Sequence, residues 1–380
     1  MIMKSLFIVN DFPPIVGGQS TYYYNLCRAL PKYSFIVLAP KWGKYKEFDS
    51  KQNFTIIRKF YLTKIPFLEK ALKIILPFFY ALSIMSKNDI NKIHCAHVLS
   101  TGVVGLLLKI LFRKEYFLYT HSADIMCYQH IPLIRKLLIV ILKNASKVMA
   151  NSNYTHNKLL ELKVEKENII ISHPLIDFSD YIKETNLSNI VQKYDLKGRK
   201  VILSVNRLIE RKGNDMVIRA IPIIKRELAN VVYLIVGTGH YLSTLKSLVN
   251  TYNLMGTVIF LESITSPEII DLYKACNVFV MPSRVCEKKG DAEGFGIVFL
   301  EANACGIPVI GGRSGGIPDA VIDNKTGILV DPLSVDEIAK AIIKVLNDEH
   351  YAKQLGECGK TRVKEIFDWR NGAKEVSHLF

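Results

Sequence analysis

Short apolar runs alternate with longer amphipathic segments along the whole chain. In the first half the runs are SLFIVN, FIVLAP, FTIIRKF, KIHCAH, YFLYTH, KVMANS and NIIISHP. In the second half they are VILSVNR, VVYLIVGTG, VIFLES, VFVMPS, IPVIGG and GILVDP. Continuous runs rich in valine and isoleucine, separated by helix-length segments, are typical of buried parallel strands. The alternation therefore predicts an α/β fold with doubly wound sheets.

A polar stretch at 176–200 divides these runs into two sets. A chain of 380 residues is comfortable for two domains of ordinary size, each with a full core. We therefore predict one domain over 1–180 and a second over 181–360. The remaining segment, 361–380, is predicted to be a helix with a break near Asp368-Trp369.

The formal net charge of +15 is concentrated in the first half of the chain. Residues 1–180 hold 24 Lys and Arg against 12 Asp and Glu, whereas residues 181–380 hold 26 against 23. This asymmetry predicts an anionic partner for the first half. No aromatic-interleaved basic strand or recognition motif is present, which argues against nucleic acid.

Three apolar segments of the first half carry interspersed cations: 64–87, 106–114 and 131–143. Charged residues and a proline interrupt the first segment, leaving too short an apolar run to span a bilayer. Such segments suit helices at a lipid interface, or helices that cover a sheet and carry solvated lysines outside. For the basic half as a whole we favour peripheral contact with anionic membrane. Our specific hypothesis is docking through 64–87, with Lys70 and Lys73 at the headgroups.

The seven cysteines show no Cys-x-x-Cys spacing and no paired framework. A reduced, cytoplasmic chain is therefore expected, located at the inner face of the cell membrane if the docking hypothesis holds. The N-terminal stretch MIMKSLFIVNDFPP is interpreted as a first strand, since it lacks the small-residue cleavage site of a signal peptide.

The loops that follow the strands carry the candidate chemistry, because open parallel sheets bind ligands beyond the carboxyl ends of their strands. Gly17-Gly18 follows the first strand, just before a helix expected near Ser20. Glycine lets a ligand approach the main chain, and the free amides of a helix start attract anions, although a plain turn would look the same. Gly237-Thr238-Gly239 lacks the third glycine of a dinucleotide fingerprint, which argues against a dinucleotide oxidoreductase.

Arg207 and Lys212 follow the strand VILSV and stand five residues apart. Two fixed cations at the mouth of a sheet suit a diphosphate, because arginine can grip two oxygens and lysine adds a point charge. A solvated basic turn is the alternative interpretation. Arg211, between them, is predicted to be a solvated cation of this kind.

Two glutamates, Glu293 and Glu301, stand eight residues apart among glycines and apolar residues. Gly294–Gly296 predicts a tight turn, followed by a helix that begins near Phe295, carries Glu301 in its second turn and ends at Gly306. Both acids are then expected to face the same end of the sheet. The alternative is a pair of structural glutamates with satisfied hydrogen bonds.

The E-x7-E pattern lies within EGFGIVFLEANACGIPVIGGRSGGIPDAV, with Pro282-Ser283 before it and NKTGILVDP after it. In these motifs and over nearly its whole length, the chain resembles the retaining glycosyltransferases of family 4. The resemblance implies a GT-B fold, in which two facing Rossmann-like domains enclose a cleft. The domain over 1–180 would bind the acceptor and that over 181–360 the nucleotide sugar. Segment 361–380 would cross back to the first domain.

The resemblance also implies roles for the acids and cations of the second domain. Glu301 would accept hydrogen bonds from the ribose hydroxyls of the nucleotide. Glu293 would contact hydroxyls of the transferred sugar. Arg207 and Lys212 would stabilise the leaving diphosphate as negative charge develops on it.

The remaining implied roles belong to main-chain amides and to the first domain. Gly294, Phe295 and Gly296 would present the amides of a helix start to the donor. Gly17 and Gly18 would border the donor phosphates and Gln19 the acceptor. His121, at the end of the strand YFLYT, would lie at the reacting centre and orient the donor sugar through its ring or its backbone carbonyl. Asp124 is either an acceptor-site acid or a helix N-cap.

Two departures from the family pattern bear on these expectations. Glu262 stands where many relatives have glycine, in a segment that meets the nucleobase, so the preference between uracil and guanine stays open. Asn206 occupies a position often held by serine or glycine. No Asp-x-Asp metal motif is present, so we expect no cofactor and metal-independent transfer, with Arg207 and Lys212 replacing a divalent ion.

The expected function is retaining transfer of a hexose from a UDP- or GDP-sugar to a hydroxyl of a glycan or lipid-linked glycan. The products would be surface polysaccharide, lipopolysaccharide or glycolipid. No general base is obvious, which fits a mechanism in which the leaving phosphate takes the proton of the acceptor. The rival interpretations are a GT-B enzyme of other chemistry, such as a nucleotide-sugar epimerase or a phosphorylase, and a non-catalytic nucleotide-sugar-binding module.

Overall fold

The computed structural model describes residues 4–61, 66–128, 130–287 and 290–380. Its strands are β1 (Lys4–Ile8), β2 (Phe35–Pro40), β3 (Thr55–Lys59), β4 (Ile90–Cys95), β5 (Glu115–Thr120), β6 (Lys147–Ala150), β7 (Ile169–Ile171), β8 (Lys200–Val205), β9 (Val231–Val236), β10 (Val258–Leu261), β11 (Val278–Met281), β12 (Val309–Gly312) and β13 (Gly327–Val330). Each overlaps one of the predicted apolar runs, and four of them begin one or two residues earlier. The sequence-based assignment of the strands is therefore confirmed.

The α-helices connect these strands. They are α1 (Gly18–Ala29), α2 (Tyr45–Asp49), α3 (Pro66–Met85), α4 (Thr101–Phe112), α5 (Ser122–Met126), α6 (Pro132–Asn144), α7 (Asn153–Glu161), α8 (Phe178–Tyr181), α9 (Ser188–Lys193), α10 (Asn214–Glu227), α11 (Leu242–Thr251), α12 (Ser266–Ala275), α13 (Ile297–Ala304), α14 (Ile317–Ala320), α15 (Val335–Asn347), α16 (Glu349–Arg362) and α17 (Lys374–Ser377). Among the described residues, no helix is both long and apolar enough to span a bilayer.

Contacts divide the chain into two compact units. The N-terminal unit comprises Met1–Ile176 and Trp369–Phe380, and the C-terminal unit comprises Asp177–Asp368. The sequence-based boundaries, at 180 and 360, lie a few residues away from these. The assignment of the units to acceptor and donor stays a prediction.

The N-terminal unit is built on a seven-stranded parallel sheet in the order β3-β2-β1-β4-β5-β6-β7. Alternate residues of β1 enter two different apolar clusters: Leu6 and Ile8 join one, and Phe7 joins the other. Both faces of the sheet are therefore buried, which explains why its strands read as continuous apolar runs.

The C-terminal segment completes the core of the N-terminal unit. The Trp369 amide donates to the Ile176 carbonyl, and the ring of Phe380 stacks on His94 with centroids 3.7 Å apart. The predicted break near Asp368-Trp369 is present: α16 gives way to a π-helical turn, Val363–Phe367, and Asp368 is extended.

The C-terminal unit has a six-stranded parallel sheet in the order β10-β9-β8-β11-β12-β13. The chain starts in the middle of each sheet, builds outward to one side and then returns to build the other. The reversal falls between β1 and β4 in the N-terminal unit and between β8 and β11 in the C-terminal unit. In sheets of this kind, ligands usually bind beyond the carboxyl ends of the strands, at such a reversal.

Candidate active site

The loops after β8 and β11 meet at the reversal point of the C-terminal sheet. A 3-10 turn, Glu210–Lys212, follows β8 and ends at Gly213, whose φ is +76°. A Cβ on Gly213 would lie 2.2 Å from the carbonyl oxygen of Pro282, directly after β11. Only glycine allows this approach of the two loops, which brings the cations of the first loop beside the acids of the second.

Glu293 accepts from two buried cations at this point. Its Oε2 lies 2.5 Å from Lys212 Nζ and 2.5 Å from Arg211 Nη1. Arg211 Nε also lies 2.8 Å from Asp291 Oδ1. The expectation that Arg211 is a solvated cation is therefore wrong: its side chain is 7% exposed because both partner acids reach it from the loop after β11.

The cluster of Arg211, Lys212, Asp291 and Glu293 keeps Glu293 ionised. Burial alone would raise the pKa of Glu293, but Lys212 and Arg211 outweigh it and lower the pKa to about 2. Burial also lowers the pKa of Lys212, against the opposing effect of Glu293. The ammonium of Lys212 has three donors, and Glu293 fixes its direction while using one of them.

Arg207 stands on the exposed side of the same loop. It lies near enough to Lys212 to contribute to the lowering of its pKa. Arg207 and Lys212 thus form a neighbouring pair in which one cation is exposed and the other is buried. This arrangement suits an anion that enters from solvent, and the diphosphate role of the pair stays a prediction.

The main chain around Glu293 is held by the loop after β12. The Gly316 amide donates to the Glu293 carbonyl at 2.8 Å, and Gly315, with φ of +57°, approaches so closely that a Cβ would lie 2.5 Å from the same oxygen. Gly294 and Gly296 follow, and Gly296 caps the start of α13 with φ of +92°. The ring of Phe295 is buried against Phe367, so the ring is not available to a ligand, and the donor role predicted for its main chain stays a prediction.

Glu301 lies in the second turn of α13 and has different partners from Glu293. The Tyr273 hydroxyl donates to Glu301 Oε2 at 2.9 Å, and the Tyr181 hydroxyl also bonds to this carboxylate. Burial raises the pKa of Glu301, and the two tyrosine bonds oppose it. These bonds form the satisfied set that the structural interpretation requires, so its contact with ribose stays a prediction.

In the N-terminal unit, His121 is a neutral and fully engaged histidine. Its Nε2 lies 2.8 Å from the Tyr23 hydroxyl, which donates in turn to the Ala96 carbonyl, and its Nδ1 lies 3.3 Å from Asn151 Nδ2. These contacts fit an Nε2–H tautomer. Burial lowers the pKa of His121 to about 3, so the ring is no acid or base at neutral pH. The orienting role predicted for its ring or its backbone carbonyl stays a prediction.

Asp124 lies three residues into the turn after His121. Its Oδ2 accepts from the His121 amide at 3.2 Å, which is a capping contact of α5. Gln19 Oε1 accepts from His97 Nε2 at 2.9 Å, and Gly17-Gly18 is exposed at the start of α1. A Cβ on Gly17 would meet open space, so the main chain there is approachable.

The analysis of the sequence missed an aspartate–histidine pair at the reversal point of the N-terminal sheet. Asp11 follows β1 and His97 follows β4, and Asp11 Oδ2 lies 3.3 Å from His97 Nε2. The signal available in the sequence was their position: Asp11 directly follows the run SLFIVN, and His97 is the last residue of the run KIHCAH. These two runs contain the strands on either side of the reversal.

Two family models together match most of the chain. The model described as Glycosyltransferase Family 4 matches residues 16–180, and the model described as Glycosyl transferases group 1 matches residues 188–362. The chain belongs to glycosyltransferase family 4. The resemblance inferred from the E-x7-E region is thereby confirmed, and the chain is a glycosyltransferase.

Curated relatives of this glycosyltransferase align with it from end to end. It is 29% identical over 379 residues, covering 98% of this chain and 97% of the relative, to a GDP-mannose-dependent alpha-(1-6)-phosphatidylinositol monomannoside mannosyltransferase of Mycolicibacterium smegmatis. A Corynebacterium glutamicum enzyme that acts on the monoacylated acceptor is 26% identical, covering 99% and 97% of the two chains.

Similar solved structures establish the fold of this chain. Anabaena HepE, crystallised with UDP, superposes with a TM-score of 0.81 over 99% of both chains at 19% identity. WaaG, a glycosyltransferase involved in lipopolysaccharide biosynthesis, gives 0.67 over 95% of both chains at 16% identity. The predicted α/β class and GT-B fold are confirmed.

The described residues include neither a candidate metal site nor a disulfide bond. Within the described ranges, no group of three or more His, Cys, Asp or Glu side chains is arranged to hold a metal ion. All seven cysteines are free thiols. Transfer without a metal stays a prediction.

Proposed function

We propose that this glycosyltransferase moves a hexose from a nucleoside-diphosphate sugar, with retention of the anomeric configuration, to a hydroxyl of a glycolipid or lipid-linked glycan. The Lys212–Glu293–Arg211 cluster at the reversal point of the C-terminal sheet is the observation that carries the proposal. It offers a carboxylate for sugar hydroxyls and fixed cations for a diphosphate at one end of the sheet.

In the proposed reaction the bond from the anomeric carbon to the diphosphate oxygen breaks as the acceptor oxygen bonds to the same face of that carbon. The proton of the acceptor hydroxyl passes to a phosphate oxygen of the leaving group. Arg207 and Lys212 stabilise the charge that develops on the diphosphate. His121, whose low pKa keeps it neutral, takes no part as a base.

GDP-mannose is the first donor to test, within the UDP- or GDP-sugar class. The support is that relatives aligned over nearly their whole length are named GDP-mannose-dependent mannosyltransferases. The direct experiment offers GDP-mannose, UDP-glucose and ADP-glucose, each with phosphatidylinositol monomannoside in mixed vesicles. Release of nucleoside diphosphate in step with acceptor glycosylation is expected for one donor.

Product analysis separates this proposal from its rivals. An epimerase or a phosphorylase would convert the sugar without releasing nucleoside diphosphate in step with acceptor glycosylation. A non-catalytic module would bind donor and turn over nothing. An α-linkage formed from an α-linked donor supports retention, and a β-linkage refutes it. Loss of transfer in EDTA with recovery on adding Mg²⁺ or Mn²⁺ would refute metal independence.

Contact with anionic membrane is part of this proposal, because the acceptor is lipid-linked. On α6, Leu133, Leu137 and Val140 are exposed at helical spacing beside Lys136 and Lys143. An exposed apolar stripe flanked by lysines suits an interfacial helix. This surface belongs to 131–143, one of the three segments singled out in the sequence.

The docking hypothesis for 64–87 stays a prediction. The Lys70 side chain lies outside the described part, and Lys73 is partly buried and acts electrostatically on Asp11. Flotation with phosphatidylserine vesicles tests the α6 surface. Lys136→Glu with Lys143→Glu should reduce binding, whereas Lys340→Glu with Lys353→Glu, at exposed positions of α15 and α16, should not. Equal binding by all three proteins would refute the contact.

A further inference from the structure

Arg284 joins the two loops that form the cluster around Glu293, and it is not among the residues that the resemblance assigns to donor or acceptor. It lies three residues after the end of β11, in the loop that also carries Asp291 and Glu293. Its side chain is 11% exposed. A nearly buried arginine needs partners for its charge, because an unpaired charge is costly in a protein interior.

The carboxylate of Asp215 binds the guanidinium of Arg284 through two bonds. Nη1 of Arg284 lies 3.0 Å from Asp215 Oδ1, and Nη2 lies 3.1 Å from Asp215 Oδ2. Asp215 lies in the first turn of α10, where the helix dipole also favours a carboxylate. Its side chain is 9% exposed, so both partners are largely shielded from solvent. Two parallel bonds between a guanidinium and a carboxylate fix the orientation of the pair as well as its distance.

The main chain of Arg284 makes a second connection to the loop after β8. Its amide donates to the Arg211 carbonyl at 2.8 Å. Arg211 directly precedes Lys212, and Asp215 follows Lys212 three residues later. The two connections of Arg284 therefore hold the chain on both sides of Lys212.

Other groups also face the guanidinium of Arg284. Its Nη2 lies 3.8 Å from Glu210 Oε1. Burial and the charge of Asp215 raise the pKa of Tyr241, in the loop after β9, and Arg284 opposes them. Burial alone would lower the pKa of Arg284 itself, but Asp215 outweighs it and the pKa is raised. The guanidinium is therefore charged and engaged by neighbouring side chains, which makes it a poor candidate for direct contact with a ligand.

The loop that begins near Arg284 is also held where it approaches Glu293. The Cys286 amide donates to the Asp291 carbonyl at 2.8 Å, and the Asp291 amide donates back to the Cys286 carbonyl at 3.3 Å. The Asp291 and Glu293 side chains both bind Arg211. Arg284 thus anchors the start of a segment whose other end presents Glu293.

Lys212 needs support of this kind. Its ammonium stands at the end of a flexible four-carbon stem, so its direction depends on the main chain that carries it and on the acid that it contacts. That acid is Glu293, at 2.5 Å. Electrostatic catalysis requires the stabilising charge to be in place before charge develops on the leaving group. Arg284 connects the chain around Lys212 to the loop that carries Glu293.

We infer that Arg284, paired with Asp215, is a positioning residue for departure of the diphosphate: it holds the chain that carries Lys212 against the loop that carries Glu293, so that the ammonium is already directed when the donor binds. This inference rests on the proposed function. It gives neither Arg284 nor Asp215 a contact with substrate.

Arg284→Gln tests the inference, since it removes the charge and the bidentate contact with Asp215. With GDP-mannose and phosphatidylinositol monomannoside, kcat at saturating donor should fall roughly tenfold to a hundredfold, as expected when a charged group is misplaced. The KM for GDP-mannose should stay within about twofold of wild type, because charge on the diphosphate oxygen grows most in the transition state. Arg219→Gln is the matched control: it removes a bond to the Tyr252 hydroxyl at an exposed position of α10 and should change neither value.

A second substitution, Lys212→Ala, separates positioning from general damage to the fold. If Arg284 acts through Lys212, then Arg284→Gln should lower kcat by less than about twofold in a chain that already carries Lys212→Ala. Losses that multiply, as independent effects do, would overturn the positioning role.

Arg284→Lys keeps the positive charge but cannot form the bidentate contact, so it carries the test if Arg284→Gln does not fold. It should lower kcat in the same way, to a smaller degree, with the donor KM unchanged. Hydrogen exchange gives a measurement that does not depend on activity. The amides of Lys212 and Gly213 donate to the Ile209 and Glu210 carbonyls, and they should exchange at least about threefold faster in the variant than in wild type.

A kcat within about twofold of wild type in the folded variants, or unchanged exchange of these two amides, would overturn the role of Arg284. Failure of the proposed function shows differently. The wild-type chain itself would then transfer no hexose from any of the donors, while the faster exchange in the variants would persist, and the inference about the diphosphate would fall with the proposed function.

Discussion

Glu293→Gln tests whether the buried cluster at the C-terminal reversal point is an electrostatic unit. The substitution keeps the shape of the side chain and leaves Arg211 and Lys212 facing a neutral amide. Lowering of the Glu293 pKa from 4.5 to about 2 corresponds to about 3 kcal/mol of folding free energy at neutral pH. That agrees with the roughly 3–5 kcal/mol usually lost when one partner of a buried ion pair is removed.

The stabilisation by Glu293 should depend on pH in a definite direction. Because the folded-state pKa is depressed, the stabilisation is fully present above the unfolded pKa, near 4.5, and is lost as the pH falls toward 2. The difference between wild type and Glu293→Gln should therefore shrink from about 3 kcal/mol at pH 7 to about 2 kcal/mol at pH 3.5.

Hydrogen exchange of amides in β8 and β11 is the suitable assay, because both tryptophans, Trp42 and Trp369, lie in the N-terminal unit. Glu262→Gln is the matched control: its partner Lys246 is exposed, so less than about 1 kcal/mol is expected. A gap that is the same at both pH values, or no gap at all, would refute the electrostatic reasoning.

Three further outcomes are expected. Lys212→Ala should lower kcat by roughly 10²–10³, measured at saturating donor, because it removes a charge predicted to stabilise the leaving diphosphate. Lys340→Ala, at an exposed position of α15, should leave kcat unchanged, and equal effects of the two substitutions would contradict the assignment. Tyr273→Phe removes a hydrogen bond that lowers the pKa of Glu301, so the rise of donor KM on acidification should begin at higher pH than in wild type. An unchanged dependence of donor KM on pH would argue against donor contact by Glu301. Deleting 374–380 removes the stack of Phe380 on His94 and should lower the free energy of unfolding of the N-terminal unit by about 3 kcal/mol or more. Urea unfolding followed by tryptophan fluorescence measures this, and an unchanged midpoint would show that the segment is dispensable.

The strands and the position of α13 could be predicted because their signals are local. A parallel strand buried on both faces is a continuous apolar run, and Gly296 and Gly306, both at positive φ, mark the two ends of α13. Partner choice is not local in this way. The loop NRLIERKG offers three cations, and which of them turns inward depends on the 3-10 turn and on Pro282, seventy residues away in sequence. Arg211 was misassigned for this reason.

The Asp11–His97 pair was missed on the same ground. Its members are 86 residues apart, and only the strand order β1-β4 makes them neighbours. The strand order β1-β4 is therefore the information that would have placed the loops after these two strands side by side. The apolar runs predict where the strands are, but they do not predict which strands pair. The pairing depends on how the connecting helices return the chain to the sheet.

Glu293 can contribute to the reaction in two ways, and both are compatible with its position. It orients Lys212 through the 2.5 Å contact, and it is also the carboxylate predicted to hold a sugar hydroxyl. If orientation is its whole task, Glu293→Gln should lower kcat equally for GDP-mannose and for a deoxy donor that lacks the bonded hydroxyl. If the sugar contact matters, wild type should discriminate between these donors and the variant should lose most of that preference, because a neutral amide bonds a hydroxyl more weakly than a carboxylate does. Orientation by Glu293 would matter in either case, since a lysine fixed before the diphosphate departs stabilises charge without reorganising, which is the source of most electrostatic catalysis.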